Sequence, residues 1–449
     1  MNKINIAYEL INLFSDSNYN AYLVGGSVRD NLMDREIKDV DITTNATPQQ
    51  IIQFAIQNNS KYIETGITHG TVTIIYKDIP IEVTTFRVDK DCDGRHCTVE
   101  FVKTLEEDLS RRDFTMNAIA INKDGQLIDP FNGIKDIENK IIRTVGDAFT
   151  RFEEDKLRTL RAIRFATILD FVIEDGTYNA IKHVSLESIS KERIRDELIK
   201  ILLSTNRIKG ITTLDEINLL NQILPEVVLL KGVVQDEIHH PEKDVFVHTM
   251  LSLDSISDDN NVSLELVLSI LLHDIGKPLT RDFISSDEIH FYGHDKVGAE
   301  IAESILTRLK FPSKTIDKVK LLVENHMRIH LFDEMKKSKK VKLIEHEYFH
   351  DLLKLMIADI NGSSGIDEFN PDYTIVDIIG KFVEDYRKEV ENRPALQQKL
   401  INGYDIMNLG VSPKEGIKIG QILEKVDDAI IEGIVNTKDE ALKFAKGMI

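Results

Sequence analysis

The sequence predicts an α+β chain, with a mixed β-sheet in the N-terminal third and helices from there to the C-terminus. Three observations carry that prediction. Short β-type runs alternate with helical ones through the first 145 residues. From Asp147 onward the apolar spacing is helical, with few breakers. A length of 449 residues at 42% hydrophobic and 29% charged content suits a globular chain of several domains.

Each element has a local reason. Thr71–Tyr76 and Ile79–Phe86 alternate apolar and polar residues around Lys77-Asp78, which predicts a hairpin. Ile119–Ile121 and Leu127–Ile128 flank Asn122-Lys123-Asp124-Gly125, a second hairpin signal. Asp89–Cys97 is polar and contains glycine, so a mobile loop is expected there. Gly232 to Asp244 is a polar, His- and Pro-containing connection and reads as a domain seam.

Composition excludes several classes. A net charge of −19 argues against a protein that coats nucleic acid by bulk attraction. It leaves room for local basic clusters. One contains Arg143, Arg151, Lys156, Arg158, Arg161 and Arg164; another contains Lys191, Arg193, Arg195, Lys200, Arg207 and Lys209. Each is either a track for an RNA backbone or a solvated helix face. Two cysteines imply a reducing compartment, and Cys92 and Cys97 cannot complete a tetrahedral zinc site even with His96 between them. No apolar run approaches a membrane span and Met1–Asp16 does not read as a signal peptide, so a cytoplasmic protein without a membrane partner is expected.

The most informative stretch is Leu23-Val24-Gly25-Gly26-Ser27-Val28-Arg29-Asp30, followed by Asp39-Val40-Asp41. A Gly-Gly turn presents backbone N–H groups able to cradle a triphosphate. On a strand, Asp39 and Asp41 fall on one face, with Val40 and Ile42 on the other. Two carboxylates beside a phosphate cradle suit the metal ions of phosphoryl transfer. Downstream, Arg111 and Arg112 can hold phosphate oxygens by forked hydrogen bonds. On a helix, Asp155, Arg158 and Arg161 follow an i, i+3 spacing and share a face, with an intrahelical Asp155–Arg158 salt bridge as the simpler reading.

These motifs, with Asp93-Gly94-Arg95-His96, Arg111-Arg112-Asp113-Phe114-Thr115-Met116-Asn117-Ala118, Glu154-Asp155-Lys156-Leu157-Arg158-Thr159-Leu160-Arg161 and Ser190-Lys191-Glu192-Arg193-Ile194, stand in an order that resembles class II tRNA nucleotidyltransferases. That family comprises the CCA-adding enzymes and bacterial poly(A) polymerases. The resemblance implies a nucleotidyltransferase head over 1–145, a helical nucleotide-recognition neck and RNA-binding region over 146–235, and a helical tail over 371–449. It implies that Asp39 and Asp41 bind Mg²⁺ and that Gly26, Arg29 and Arg112 hold the triphosphate. It places Asp155, Arg158, Arg161 and Arg164 on the recognition helix, with Glu154 steadying it. The family's usual Asp-Gly-Arg-His-Pro loop ends here in Cys97 rather than proline. Glu82 is an open candidate for a third carboxylate.

The physics of base choice can be stated separately. Adenine and cytosine present an amino donor beside a ring-nitrogen acceptor, where guanine and uracil present a carbonyl oxygen. Asp155 and Arg158 match the first pattern and set acceptor against acceptor in the second. Each mismatched contact costs about 1–3 kcal/mol.

Residues 236–370 carry a second constellation: His248, His273-Asp274, His294, His326 and Asp359. Apolar Leu266–Leu272 runs straight into His273-Asp274, and adjacent His and Asp completed by distant His and Asp suit a divalent cation. The order resembles the HD-type metal phosphohydrolases. That resemblance implies His248, His273, Asp274 and Asp359 as core ligands of a divalent transition metal or Mg²⁺. It gives His294 and His326 to a second ion or to substrate, and Lys277 to a phosphate. The domain is either active or an inert scaffold.

The expected function is template-independent addition of C, C and A to the tRNA 3′ end from CTP and ATP. The alternatives are an A-adding enzyme or poly(A) polymerase, or a nucleotide-sensing phosphohydrolase. Nothing in the sequence indicates the oligomeric state.

Overall fold

A computed structural model describes residues 3–90, 98–235, 242–259, 261–285, 288–363 and 371–449. The expected loop tip, with Asp93, Gly94, Arg95, His96 and both cysteines, lies outside the described residues. The chain divides into two compact units, Met1–Val228 with Arg308–Phe311 and Leu229–Thr307 with Pro312–Ile449. No helix among the described residues is long and apolar enough to cross a membrane.

The first unit begins with α1 (Lys3–Asp16), β1 (Ala21–Val24), α2 (Gly26–Leu32), β2 (Asp41–Thr44) and α3 (Pro48–Gln57). Then come β3 (Lys61–Gly66), β4 (Thr71–Tyr76), β5 (Ile79–Thr85), β6 (Arg87–Lys90), β7 (Thr98–Phe101) and α4 (Leu105–Ser110). Helix α1 buries Ile4, Ala7, Leu10, Ile11 and Phe14, spaced three and four apart, so one face meets the sheet. Phe14 stacks on Phe54 of α3 with ring centroids 3.8 Å apart. Helix α3 starts where a Thr47–Gln50 capping box and Pro48 satisfy its first N–H groups.

Strands β8 (Ala120–Ile121) and β9 (Leu127–Ile128) complete a seven-stranded sheet of order β3-β4-β5-β2-β1-β8-β9. It is mixed: β2 and β5 run parallel, whereas β1 is antiparallel to both β2 and β8. Lys77 and Asp78 take φ of 50° and 64°, as a two-residue hairpin turn requires. The parallel register sets Asp41 opposite Glu82.

Next come α5 (Gly133–Glu138), β10 (Ile141–Ile142), α6 (Ala148–Glu154), α7 (Leu157–Leu169), β11 (Val172–Ile173), α8 (Asp175–Ile181) and α9 (Lys191–Leu202). The helical run is thus interrupted by β11, which pairs in parallel with β10. It is also broken at Asp155, which does not belong to a helix with Arg158. Its backbone is extended, at φ −146° and ψ 102°. The reason is local: Asp155 Oδ1 accepts from the N–H of Leu157 at 3.1 Å, a side-chain bond that competes with helix continuation.

The second unit contains α10 (Val245–Asp254), α11 (Leu264–Leu272), a β-hairpin (Asp282–Ser285 with Glu288–His290), α12 (His294–Arg308, whose last residue belongs to the first unit), α13 (Ser313–His330) and α14 (Phe349–Gly362). Asp244 and Ser263 cap α10 and α11 by accepting from Val247 N and Leu266 N. All seven residues Leu266–Leu272 are buried, so α11 is a central helix. Helices over 374–446 enclose a further core around Ile406, Val426 and Ala441.

Candidate functional site

In the first unit a cleft of about 470 Å³ is lined by Gly25, Gly26, Arg29, Asp39, Asp41, Arg112, Arg161, Arg164 and Phe165, among others. Glycine is demanded at Gly25 more than at Gly26. Gly25 sits at φ 74°, and a Cβ there would lie 3.0 Å from Arg112 Nη1 and 3.3 Å from Asp41 Oδ2. Backbone, guanidinium and carboxylate therefore crowd one point at the start of α2.

The strand proper begins at Asp41, with Asp39 just before it, although Glu82 N still bonds the Val40 carbonyl at 3.1 Å. Burial pushes the Asp41 carboxyl up to about 6; Glu82 and Asp39 add to the rise and Arg112 opposes it. A crowded carboxylate of that kind gains from a cation. Asp39, Asp41 and Glu82 do not close to a three-donor group with all ligand atoms within 4.8 Å. Mg²⁺ usually takes one or two carboxylates and completes its shell with water and substrate phosphates.

Arg112 lines the cleft, whereas Arg111 does not. Arg111 is engaged elsewhere. It forms a fork on Asp108 at 3.0 Å through both Nε and Nη2. Asp108 is fully buried, also accepts from Thr43 Oγ1 at 3.0 Å, and lies 3.6 Å from Arg112 Nη2. It anchors Arg112 beside Asp41. Arg29 Nη1 donates to Asn117 Oδ1 at 2.8 Å. Neither anchor was singled out from sequence, although Asp108 lies one helical turn before Arg112.

The guanidinium carbons of Arg29, Arg161 and Arg164 lie 4.9, 5.5 and 4.1 Å from the centroid of Phe165. Each cation also has an oxygen partner. Arg161 forks onto Asp113 Oδ2 at 2.9 and 2.6 Å, and Arg164 pairs with Glu197 at 3.2 Å. Burial alone would raise the Asp113 carboxyl, but Arg161 and Asn117 hold it well below the usual carboxylate range.

Asp155 and Arg158 are not among the cleft-lining residues. Asp155 Oδ2 pairs with Arg193 at 2.9 Å. Arg158 pairs with Glu154 at 2.8 Å and donates to the Arg111 and Arg151 carbonyls. The expected Asp155–Arg158 salt bridge is replaced by these two pairings. Many of the clustered cations carry carboxylate partners, including Arg143 with Asp136, Arg151 with Glu154, Lys200 with Glu197 and Lys209 with Asp170. Much of their charge is therefore spent inside the unit.

In the second unit, α10, α11, α12, α13 and α14 converge their histidines and aspartates. Asp274 closes two groups, with His248 and His273 on one side and His294 and His326 on the other, all ligand atoms in each within 4.8 Å. Asp359 Oδ1 lies 2.9 Å from His248 Nε2 and 3.7 Å from His273 Nε2. His330, which the sequence reading did not include, reaches Asp359 Oδ2 at 3.2 Å. Gly276 lets the turn after His273-Asp274 touch α12, since a Cβ there would fall on the His294 carbonyl and 2.7 Å from Gly298 N. Lys277 Nζ lies 2.7 Å from Asp274 Oδ2.

The donor set suits a cation. Nδ1 of His273, His294 and His326 each lies 2.6–2.8 Å from the carbonyl three residues back, which can only accept. A neutral ring so held turns a lone pair outward on Nε2. Yet His294 and His326 bring their Nε2 atoms to 3.1 Å, and His248 and His273 to 3.2 Å. Facing lone pairs need positive charge between them. Burial would lower the His273 imidazole, but Asp274 and Asp359 outweigh it and raise it to about 10; burial and His273 push His326 down to about 3.

Three family models match in order: the poly A polymerase head domain at residues 21–143, the probable RNA- and SrmB-binding site of polymerase A at 170–230, and the HD domain at 246–360. A CCA-adding enzyme of Lactobacillus helveticus is 48% identical over 199 residues, a match covering 43% of this chain and 49% of that protein. The chain thus spans about half the length of that relative. Longer matches also exist. An A-adding tRNA nucleotidyltransferase of Deinococcus radiodurans is 34% identical over 78% of this chain and 81% of its own. A CCA-adding enzyme of Lactobacillus johnsonii is 31% identical over 97% and 95%. Among solved structures, the Bacillus stearothermophilus CCA-adding enzyme in complex with CTP aligns at a TM-score of 0.69 and 27% identity, covering 99% of this chain and 96% of that one. With sequence and fold alike along nearly its whole length, the chain belongs to the CCA-adding enzyme family of tRNA nucleotidyltransferases.

Proposed function

We propose that this chain adds C, C and A to the 3′ end of tRNA, using CTP and ATP as donors, in the cytoplasm. The observation that carries the reading is the cleft in which Gly25, Asp41 and Arg112 meet. Gly26 offers its backbone N–H, and Arg29 and Arg112 clamp the triphosphate from the anchors Asn117 and Asp108. Asp39 and Asp41 would hold Mg²⁺, which when bound supplies charge neutralisation and activates the 3′-hydroxyl. Catalysis here is chiefly positioning, supplied by residues already locked by their partners. Arg161 and Arg164 line the cleft as donors held by Asp113 and Glu197, and Asp155 and Arg158 read the base edge once Asp155 exchanges Arg193 for the nucleotide.

The proposed division is a catalytic head over 1–145, a recognition neck over 146–235, an HD-type domain over 236–370 and a tail over 371–449. Within the HD-type domain, His248, His273, Asp274 and Asp359 would hold a divalent cation and support hydrolysis of phosphate esters. Imidazole donors favour a transition metal over Mg²⁺. Addition of A alone is the second reading, favoured by the Deinococcus relative.

One experiment decides between the products. A tRNA lacking its CCA end is incubated with each labelled nucleotide singly and together, beside a tRNA ending in CC. Two C additions followed by one A are expected. Incorporation of A only on the CC-ended RNA would assign the A-adding reading. No incorporation, or activity unchanged in D39A/D41A, would refute the head assignment.

A further inference from the structure

His248 is anchored differently from the other three histidines of the cation centre. Its third preceding carbonyl, that of Val245, accepts the Thr249 hydroxyl at 2.8 Å. His248 Nδ1 lies instead 2.9 Å from Oε1 of Glu242, and both side chains are fully buried. Glu242 Oε1 also accepts from Gln235 Nε2 at 3.4 Å, and Gln235 Oε1 accepts from Lys277 Nζ at 2.5 Å. Lys277 returns to Asp274. Two hydrogen bonds, Lys277 to Gln235 and Gln235 to Glu242, and two ion-pair contacts, Glu242 with His248 and Lys277 with Asp274, therefore link these side chains in one chain of contacts. Gln235 is held beside the residue before Asp244, since its N–H donates to the Lys243 carbonyl at 2.9 Å.

We infer that Glu242 is a positioning residue of the His/Asp centre, its carboxylate fixing the Nδ1–H tautomer and ring plane of His248 so that Nε2 faces the cation. The inference rests on reading the centre as a divalent-cation site. A carboxylate in this role does what the backbone carbonyls do for the other rings, and it also raises the basicity of the imidazole. Among the described residues, its negative charge adds to those of Asp274 and Asp359, and the Lys277 cation opposes them.

The test titrates the full chain with Co²⁺ alone and follows the visible bands of imidazole-bound cobalt. Wild type should show bands that H273A lacks. E242A should weaken Co²⁺ about 10–100-fold, the usual effect of losing an outer partner of a ligand. E242Q, which keeps an oxygen acceptor at the same reach, should recover most of that loss. Wild-type affinity and bands in E242A, or E242Q as weak as E242A, would overturn the inference. Circular dichroism checks the fold. If E242A does not fold, E242D decides, because it retracts the acceptor and keeps the charge; weaker binding supports positioning and unchanged binding overturns it. Absence of any His273-dependent band in wild type would instead refute the cation centre itself.

Discussion

Substituting Gly25 by alanine isolates what the glycine pair contributes. Gly25 holds φ 74° and ψ −139°, a region that L residues occupy only under strain of about 1–3 kcal/mol. The new Cβ would stand 3.0 Å from Arg112 Nη1 and 3.3 Å from Asp41 Oδ2. Relief therefore comes by moving the phosphate clamp or the carboxylate. If that strain appears in the transition state, incorporation falls about 5–150-fold, since about 1.4 kcal/mol is tenfold in rate. Gly26 supplies the control. A Cβ there would meet Arg29 Nη2 at 3.6 Å, an ordinary contact, and the position opens a helix. G26A keeps the backbone N–H and should lose only a few-fold. Single-turnover incorporation of CTP and ATP on matched RNA ends measures both. Equal effects of the two substitutions, or wild-type kinetics in G25A, would refute the argument.

Three further outcomes follow from the ion pairs. D155A should lower incorporation of CTP and ATP and narrow discrimination against UTP and GTP; R193A, which removes the competing partner of that carboxylate, should keep discrimination without lowering incorporation, and full discrimination in D155A would place selection elsewhere. Asp113 has a folded-state pKa held below its ordinary value of about 4, so its contribution to stability is present above that pH and is lost as the pH falls below it. The gap in melting temperature between wild type and D113N should therefore narrow from pH 7 to pH 3, and a pH-independent gap would refute the Asp113–Arg161 account. H273A/D274A should abolish any metal-dependent phosphate-ester hydrolysis while nucleotide addition persists, which parallel assays on one preparation would check.

The hairpins and the mixed sheet are legible in the sequence because their signals are local. Lys77-Asp78 must turn, and alternation on either side sets the faces. The meeting of β2 with β5 is less direct, yet it is what brings Glu82 opposite Asp41. The arginine partners are not legible. Arg161 finds Asp113 across 48 residues, and no spacing rule selects that carboxylate over its neighbours. The break at Asp155 is hidden for another reason. An aspartate at helical spacing looks like a face residue until its side chain takes the Leu157 N–H. Glu242 escaped notice because its meaning depends on the Val245 carbonyl being engaged by Thr249.

Helix α7 has a consequence for how such a chain is divided and exchanged. It occupies Leu157–Leu169, between the head match that ends at residue 143 and the RNA-binding match that begins at 170. Its three inward cations are answered by carboxylates from three other places: Arg158 by Glu154, Arg161 by Asp113 and Arg164 by Glu197. Moved alone into a related scaffold, the helix would arrive with unmatched buried charge, which is strongly destabilising. The smallest segment that carries its own neutrality runs from Asp113 to Glu197. Chimeras cut at the edges of the matched regions would sever it, whereas crossovers outside that span would leave it whole. As a unit of inheritance, α7 travels with residues on both sides of it, from Asp113 to Glu197.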